Sequence, residues 1–189
     1  MGGDAASNTV TISGGEVSGN VIGGYAATYN DEKSGNANSN TVNFSGGTLD
    51  TGIYGGESEG GAADDNTVTI KGGLLGHMMS LYGGYSTTES TGNTLNLYTK
   101  DNTVENLGYF QTLNFYVPEG TKAGETMLEV TNTADVAGAA VNGGIDDSVK
   151  LSPGQVINLL HDANTINTTG TTYSMITGKD VVTDPGFVQ

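Results

Sequence analysis

The chain has 189 residues, 21 of them acidic against six lysines, for a formal net charge of −15. That balance excludes a sequence-independent hold on phosphate backbones, so nucleic acid is not an expected partner, and it repels anionic membrane surfaces. Cysteine and tryptophan are both absent, so neither disulfides nor zinc thiolates hold the domain together, and the 31 glycines show no Gly-X-Y period.

The start, Met1-Gly2-Gly3-Asp4, has no basic or apolar leader, and no run of residues is long and apolar enough for a membrane-spanning helix. The opening at the edge of a repeat reads as part of a longer chain. From there a repeat dominates. Asn8-Thr-Val-Thr-Ile-Ser-Gly-Gly15 returns as Asn40-Thr-Val-Asn-Phe-Ser-Gly-Gly47, as Asn66-Thr-Val-Thr-Ile-Lys-Gly-Gly73, and in weaker form as Asn93-Thr-Leu-Asn-Leu-Tyr98. A second motif follows each of the first three: Val21-Ile-Gly-Gly-Tyr25, Ile53-Tyr-Gly-Gly-Glu57 and Leu81-Tyr-Gly-Gly-Tyr85.

Within the first motif Val10 and Ile12, Val42 and Phe44, Val68 and Ile70, and Leu95 and Leu97 alternate with Thr or Asn. Period-two alternation marks a half-buried strand. Near-identical units favour a solenoid, in which each rung meets a copy of itself, over an antiparallel sandwich, whose strands have unlike neighbours. The expected fold is therefore all-β, a parallel β-solenoid, with rungs in residues 1–103 starting near 8, 40, 66 and 93. At the spacing of hydrogen-bonded strands these rungs make a shaft of ~15–20 Å. Both Gly-Gly pairs predict sharp corners, and Asn8, Asn40, Asn66 and Asn93 predict a stacked amide ladder.

From about Val104 the repeat fades. Leu113–Val117, Met127–Val130, Ser148–Leu151 and Gln155–Leu160 read as strands outside the repeat's stacking register, between turns such as Pro118-Glu-Gly120 and Ser152-Pro-Gly154. Residues 104–189 are expected to continue the solenoid in less regular form and to cap its open end.

These rungs, with Gln111-Thr-Leu-Asn-Phe-Tyr-Val-Pro118 and Leu151-Ser-Pro-Gly-Gln-Val-Ile-Asn-Leu-Leu160, resemble the right-handed β-helix passenger domains of bacterial autotransporters, the type V secretion adhesins. The resemblance covers nearly the whole chain. It implies a right-handed helix, secretion to the surface of a Gram-negative-type bacterium, and an outer-membrane barrel elsewhere in the intact protein. The function it implies is that of a rigid, non-catalytic stalk and adhesin for host or bacterial surface glycans or proteins.

Two other functions fit a β-solenoid. A carbohydrate-active enzyme, a lyase or hydrolase, needs carboxylates converging on one face, usually beside a basic residue, and the chain has no arginine. Self-association through edges or faces is the other. The acidic pairs Asp31-Glu32, Asp64-Asp65 and Asp146-Asp147 sit in Gly- or Asn-rich loops and read as solvated charge, with Asp64 and Asp65 the calcium candidates, although tandem calcium nonapeptides are missing. The two histidines, His77 and His161, have no nucleophile elbow near them. No catalytic residue and no cofactor is expected. If Val21, Ile53 and Leu81 point inward, Ile22, Tyr54 and Tyr82 point outward, with Tyr25 and Tyr85 beyond the glycines. This aromatic stripe, with Tyr29, Asp31 and Glu32 of the long Tyr25–Ser39 loop, is the candidate binding surface.

Overall fold

In the computed structural model, which describes residues 2–28, 34–76 and 79–176, the chain is all β with no helix among the described residues. About six turns stack as a parallel β-solenoid. One sheet stacks Thr9–Val17, Thr41–Leu49, Thr67–Ile70, Thr94–Leu97, Thr112–Val117, Ala140–Ile145 and Thr172–Met175, with Leu74–Leu75 paired beside the second of these. The other stacks Val21–Ile22 and Tyr25–Ala26, then Gly52–Ser58, Ser80–Ser86, Asn102–Gly108, Thr126–Asp135, and finally Asn158–Asp162 with Ile166–Asn167.

The alternation seen in sequence becomes columns. Val10, Val42, Val68, Leu95, Leu113, Val141 and Tyr173 lie in one register line, and Ile12, Phe44, Ile70, Leu97, Phe115, Gly143 and Met175 in the next inward one. Facing them, Val21, Ile53, Leu81, Leu107, Ala134 and Ile166 form a line from the second sheet. The middle members of all three lines are fully buried in one continuous core, while Val10, Ile12 and Val17 in the first rung are only partly covered. β-branched and aromatic side chains fill such a pleated, two-walled interior well, which is why these residues form strands here.

The register corrects one reading. The strands after Val104 were expected to leave the stacking register, yet Thr112–Phe115 pair residue for residue with Thr94–Leu97, and Thr112–Val117 with Ala140–Ile145. Repetition is lost in outward residues and also at two buried features, where Gln111 replaces the ladder asparagine and Tyr109-Phe110 replace the Gly-Gly pair. The inward apolar positions, which the core requires, persist apart from Gly143 and Tyr173.

The Gly-Gly pairs also divide into two kinds. Gly15, Gly47 and Gly73, closing the first pair, have φ of 85°, 95° and 90° and do the turning that was expected. The second pair is not a corner. Gly55-Gly56 and Gly83-Gly84 lie inside strands with no positive φ, and their role is close approach: a Cβ on Gly55 would sit 2.2 Å from the Gly83 carbonyl oxygen, and one on Gly84 would sit 2.0 Å from that of Ala63. The sharp corner before each of the first four first-sheet rungs is instead made by Ser7, Ser39, Asp65 and Gly92, at φ between 56° and 73°. Ser and Asp tolerate this region better than most residues because short polar side chains bond locally.

Space opened by the second Gly-Gly pair holds the expected asparagine ladder. Asn40, Asn66 and Asn93 are fully buried. Each Oδ1 accepts two bonds from the rung before, from the backbone amide and from Nδ2: Asn40 to Asn66 at 2.9 and 3.0 Å, Asn66 to Asn93 at 2.8 and 3.1 Å. Each Nδ2 also donates to a main-chain carbonyl, of Ala5, Ala37 or Ala63. Gln111 ends the ladder by accepting the Asn93 amide at 2.9 Å.

Those carbonyls belong to a third side. Segments around 4–7, 35–39, 61–65 and 91 pair through the backbone, as in Ala5 N to Asn36 O and Ala37 N to Ala62 O, both 2.8 Å, and bury Ala26, Ala37 and Ala63 as a small apolar cluster. Much of what reads in sequence as binding loop is thus a wall of the shaft.

Candidate functional site: a tyrosine face on the second sheet

The outward positions of the second sheet begin with the register line Ile22, Tyr54, Tyr82 and Gly108. Next to it runs the line Tyr25, Glu57 and Tyr85. Because side chains alternate across a strand, the inward burial of Ile53 and Leu81 fixes Tyr54 and Tyr82 on the outer face.

These lines bring Tyr54, Tyr82 and Tyr85 together, and a residue that sequence reasoning missed, Tyr109, joins them. Tyr82 lies against Tyr54 at 5.5 Å and against Tyr109 at 5.1 Å, both edge to face, and is stacked on Tyr85 at 6.0 Å. Tyr85 meets Tyr109 at 5.6 Å and Tyr54 at 6.2 Å, again edge to face. All these spacings fall in the range of favourable ring pairs. Tyr85 and Tyr109 remain 44% and 45% exposed, so the cluster is a platform rather than a core.

Tyr109 occupies the rung position of Gly83 but takes φ of 61°, a strained region for an aromatic residue, while Phe110 turns into the core. The faded echo of Leu81-Tyr-Gly-Gly in Leu107-Gly-Tyr-Phe110 was the available signal. Gly108 stands where Tyr would continue the stripe, and the Tyr82 ring lies over it. The missing side chain leaves a notch of about 190 Å³ floored by Gly108 and bordered by Tyr82, Tyr109, Asn106, Thr133 and Asp135.

Carboxylates rim the platform. Burial, and then neighbouring Glu59, push the Glu57 carboxyl above its ordinary range. Tyr54 is pushed up first by burial and then by Glu57, and Tyr109 by burial, Tyr82, Tyr85 and Asp135. The charged residues acting on these rings are all acidic.

Tyr25 stands apart from the four. It is 48% exposed and donates to Glu59, which also takes the Thr28 hydroxyl and, at 2.7 Å, the Thr28 amide. Those donors, Thr28 foremost and then Tyr25, hold the Glu59 carboxyl down to about 2. A carboxyl depressed in the folded state stabilises above its unfolded pKa, and that contribution is lost as pH falls through the folded value. The tie from Tyr25 to Glu59 should therefore persist to about pH 2, where a free glutamate protonates near ~4.3. A carbon-detected titration of the Glu59 carboxyl checks this, and a midpoint above 4 would contradict it.

Of the other expected site residues, Tyr29, Asp31 and Glu32 lie outside the described residues, as does His77. Asp64 and Asp65 do structural tasks. Asp64 accepts from the Thr91 amide at 2.7 Å and hydroxyl at 3.3 Å, and Asp65 makes the corner before Asn66. Asp146 accepts from the Ser148 amide and hydroxyl. Among the described residues no group of three or more His, Asp or Glu side chains is gathered for a metal ion. His161 Nδ1 meets the Glu129 carboxylate at 2.8 and 2.9 Å on the outer surface.

No protein-family model, no curated protein and no solved structure matches this chain.

Proposed function

We propose that this chain is a rigid, non-catalytic shaft displayed on the surface of a Gram-negative-type bacterium, a segment of an autotransporter passenger that adheres through its tyrosine face. One observation carries the reading: tyrosines from three successive rungs are gathered, half exposed, on one side of a stack whose register cannot slip without turning them inward. Four rings at fixed spacing offer sugars or protein surfaces stacking area at little entropic cost, because the platform is ordered before contact. The surface charge of −15 suits a secreted, soluble, unpaired surface. The resemblance of the rungs to autotransporter passengers supplies the display route, with an outer-membrane barrel as the anchor in the intact protein.

The test is a glycan and extracellular-matrix array probed with the chain and with a Tyr82→Ala/Tyr85→Ala double variant. Binding by the parent should fall at least tenfold in the variant while the far-ultraviolet spectrum is unchanged. Undiminished binding would overturn the assignment of the site.

A further inference from the structure

We propose that the tyrosine face selects an amine-bearing saccharide, with the free ammonium of a hexosamine seated by Glu57 and its ring on the platform toward the Gly108 notch. This rests on the adhesive reading above and names its ligand class. Three observations lead to it.

The first is where Glu57 sits. Its rung neighbours are Tyr25 before it and Tyr85 after it, and it acts directly on Tyr54, so a carboxylate stands within a ring of phenols. That carboxylate is partly buried and has a second carboxylate, Glu59, beside it, a cost that a cation relieves. Aromatic faces around the same point attract that cation further through their quadrupoles.

The second is the uniform sign of the surroundings. Asp135 borders the far end of the platform, Glu59 lies beside Glu57, and the charged groups that act on Tyr54 and Tyr109 are the carboxylates Glu57 and Asp135. A neutral sugar would leave that field unused, and an anionic one would be repelled.

The third is the notch. It is polar as well as flat-walled: beside the Tyr82 and Tyr109 rings stand the Thr133 hydroxyl and Asp135, whose Oδ1 takes the Ala137 amide and Asn167 Nδ2, with Asn106 bonded to Ser80 and Asn132 at its edge. Ring hydroxyls need such partners, whereas a lysine side chain would fill neither the rings nor the polar edge. A saccharide carrying the ammonium fits both features.

Four of the chain's nine tyrosines form the face and there is no tryptophan, so the part of a ligand-induced change in tyrosine emission that is lost in Tyr82→Ala reports on the face. Titration with a glucosamine tetramer, all amines free, should change that emission, while the fully N-acetylated tetramer, identical in ring geometry, should bind at least tenfold more weakly. Raising the salt from 50 to 500 mM should weaken the amine form alone. Glu57→Gln, which keeps shape and removes charge, should cost the amine form about tenfold, a typical scale for one charge-assisted contact, and leave the acetylated form unchanged. Glu57→Ser gives a second charge-removing variant at the same position should Glu57→Gln perturb folding. Equal binding of the two tetramers, lost in Tyr82→Ala, would overturn the amine selectivity while leaving the adhesive platform standing. No binding of either tetramer would overturn it too, and the array would then decide the adhesive reading separately.

Discussion

Replacing Gly84 with alanine should unfold the shaft or cost at least ~3 kcal/mol, the upper range for forcing atoms into a packed interior. The added Cβ would stand 2.0 Å from the Ala63 carbonyl oxygen and 2.6 Å from Asn93 Nδ2, and the first of these is backbone, which cannot rotate aside. Ala63 itself belongs to the third side and accepts from Asn93 Nδ2, so the strain reaches two walls of the coil at once. Gly14→Ala is the control. Nothing lies within 4 Å of a Cβ there and φ is not positive, so stability should stay within about 0.5 kcal/mol of the parent. Chemical denaturation of the two variants beside the parent measures both effects.

Asn66→Ala should cost about 3–5 kcal/mol, because several buried polar groups lose partners and each such loss costs about 1–3 kcal/mol before relaxation. The Asn40 amide and Asn40 Nδ2 lose their shared acceptor, and the Ala37 carbonyl loses its donor. Asn66→Asp separates the parts of the ladder. It keeps an acceptor for Asn40 but turns a negative oxygen toward the Ala37 carbonyl and Asn93 Oδ1, so it should also destabilise, and more so above the carboxylate pKa than below it. A smaller loss for Asn66→Asp at neutral pH than for Asn66→Ala would mean that accepting, rather than donating, is what the position needs.

How much of this was legible in the sequence depends on what each residue faces. Val10, Val42 and Val68 repeat because each packs on the next, so strands, parallel stacking and the asparagine ladder could all be read from spacing alone. The second Gly-Gly pair misled for a physical reason. Glycine serves positive φ and close approach alike, and Gly55 and Gly84 serve the latter against Gly83, in the turn that follows, and Ala63, in the turn before, which no local pattern displays. The true corners hid in Ser39 and Asp65, residues ordinary enough in loops to pass unnoticed.

In the second half, Leu113 and Phe115 keep the core line while Gly143 and Tyr173 interrupt it, so the register survives where the motif does not. The candidate site was legible in part. Tyr54 and Tyr82 follow from alternation and Tyr85 from its place beyond the glycines, whereas Tyr109 joins them only because its rung replaces Gly-Gly by Tyr-Phe and twists the backbone at φ 61° to aim the ring outward. Glu57 was visible as a letter but not as the charge between Tyr25 and Tyr85, since that pairing exists only across rungs.

The central claim, that in-register parallel rungs place four tyrosines on one face, is tested most directly by ring-to-ring nuclear Overhauser contacts in protein labelled at tyrosine. Contacts between Tyr54 and Tyr82, Tyr82 and Tyr109, and Tyr85 and Tyr109 are expected, from centroid separations of 5.5, 5.1 and 5.6 Å. A spectrum in which these pairs show no contact, as an antiparallel sandwich or a one-residue slip would produce, would contradict both the stack and the site built on it.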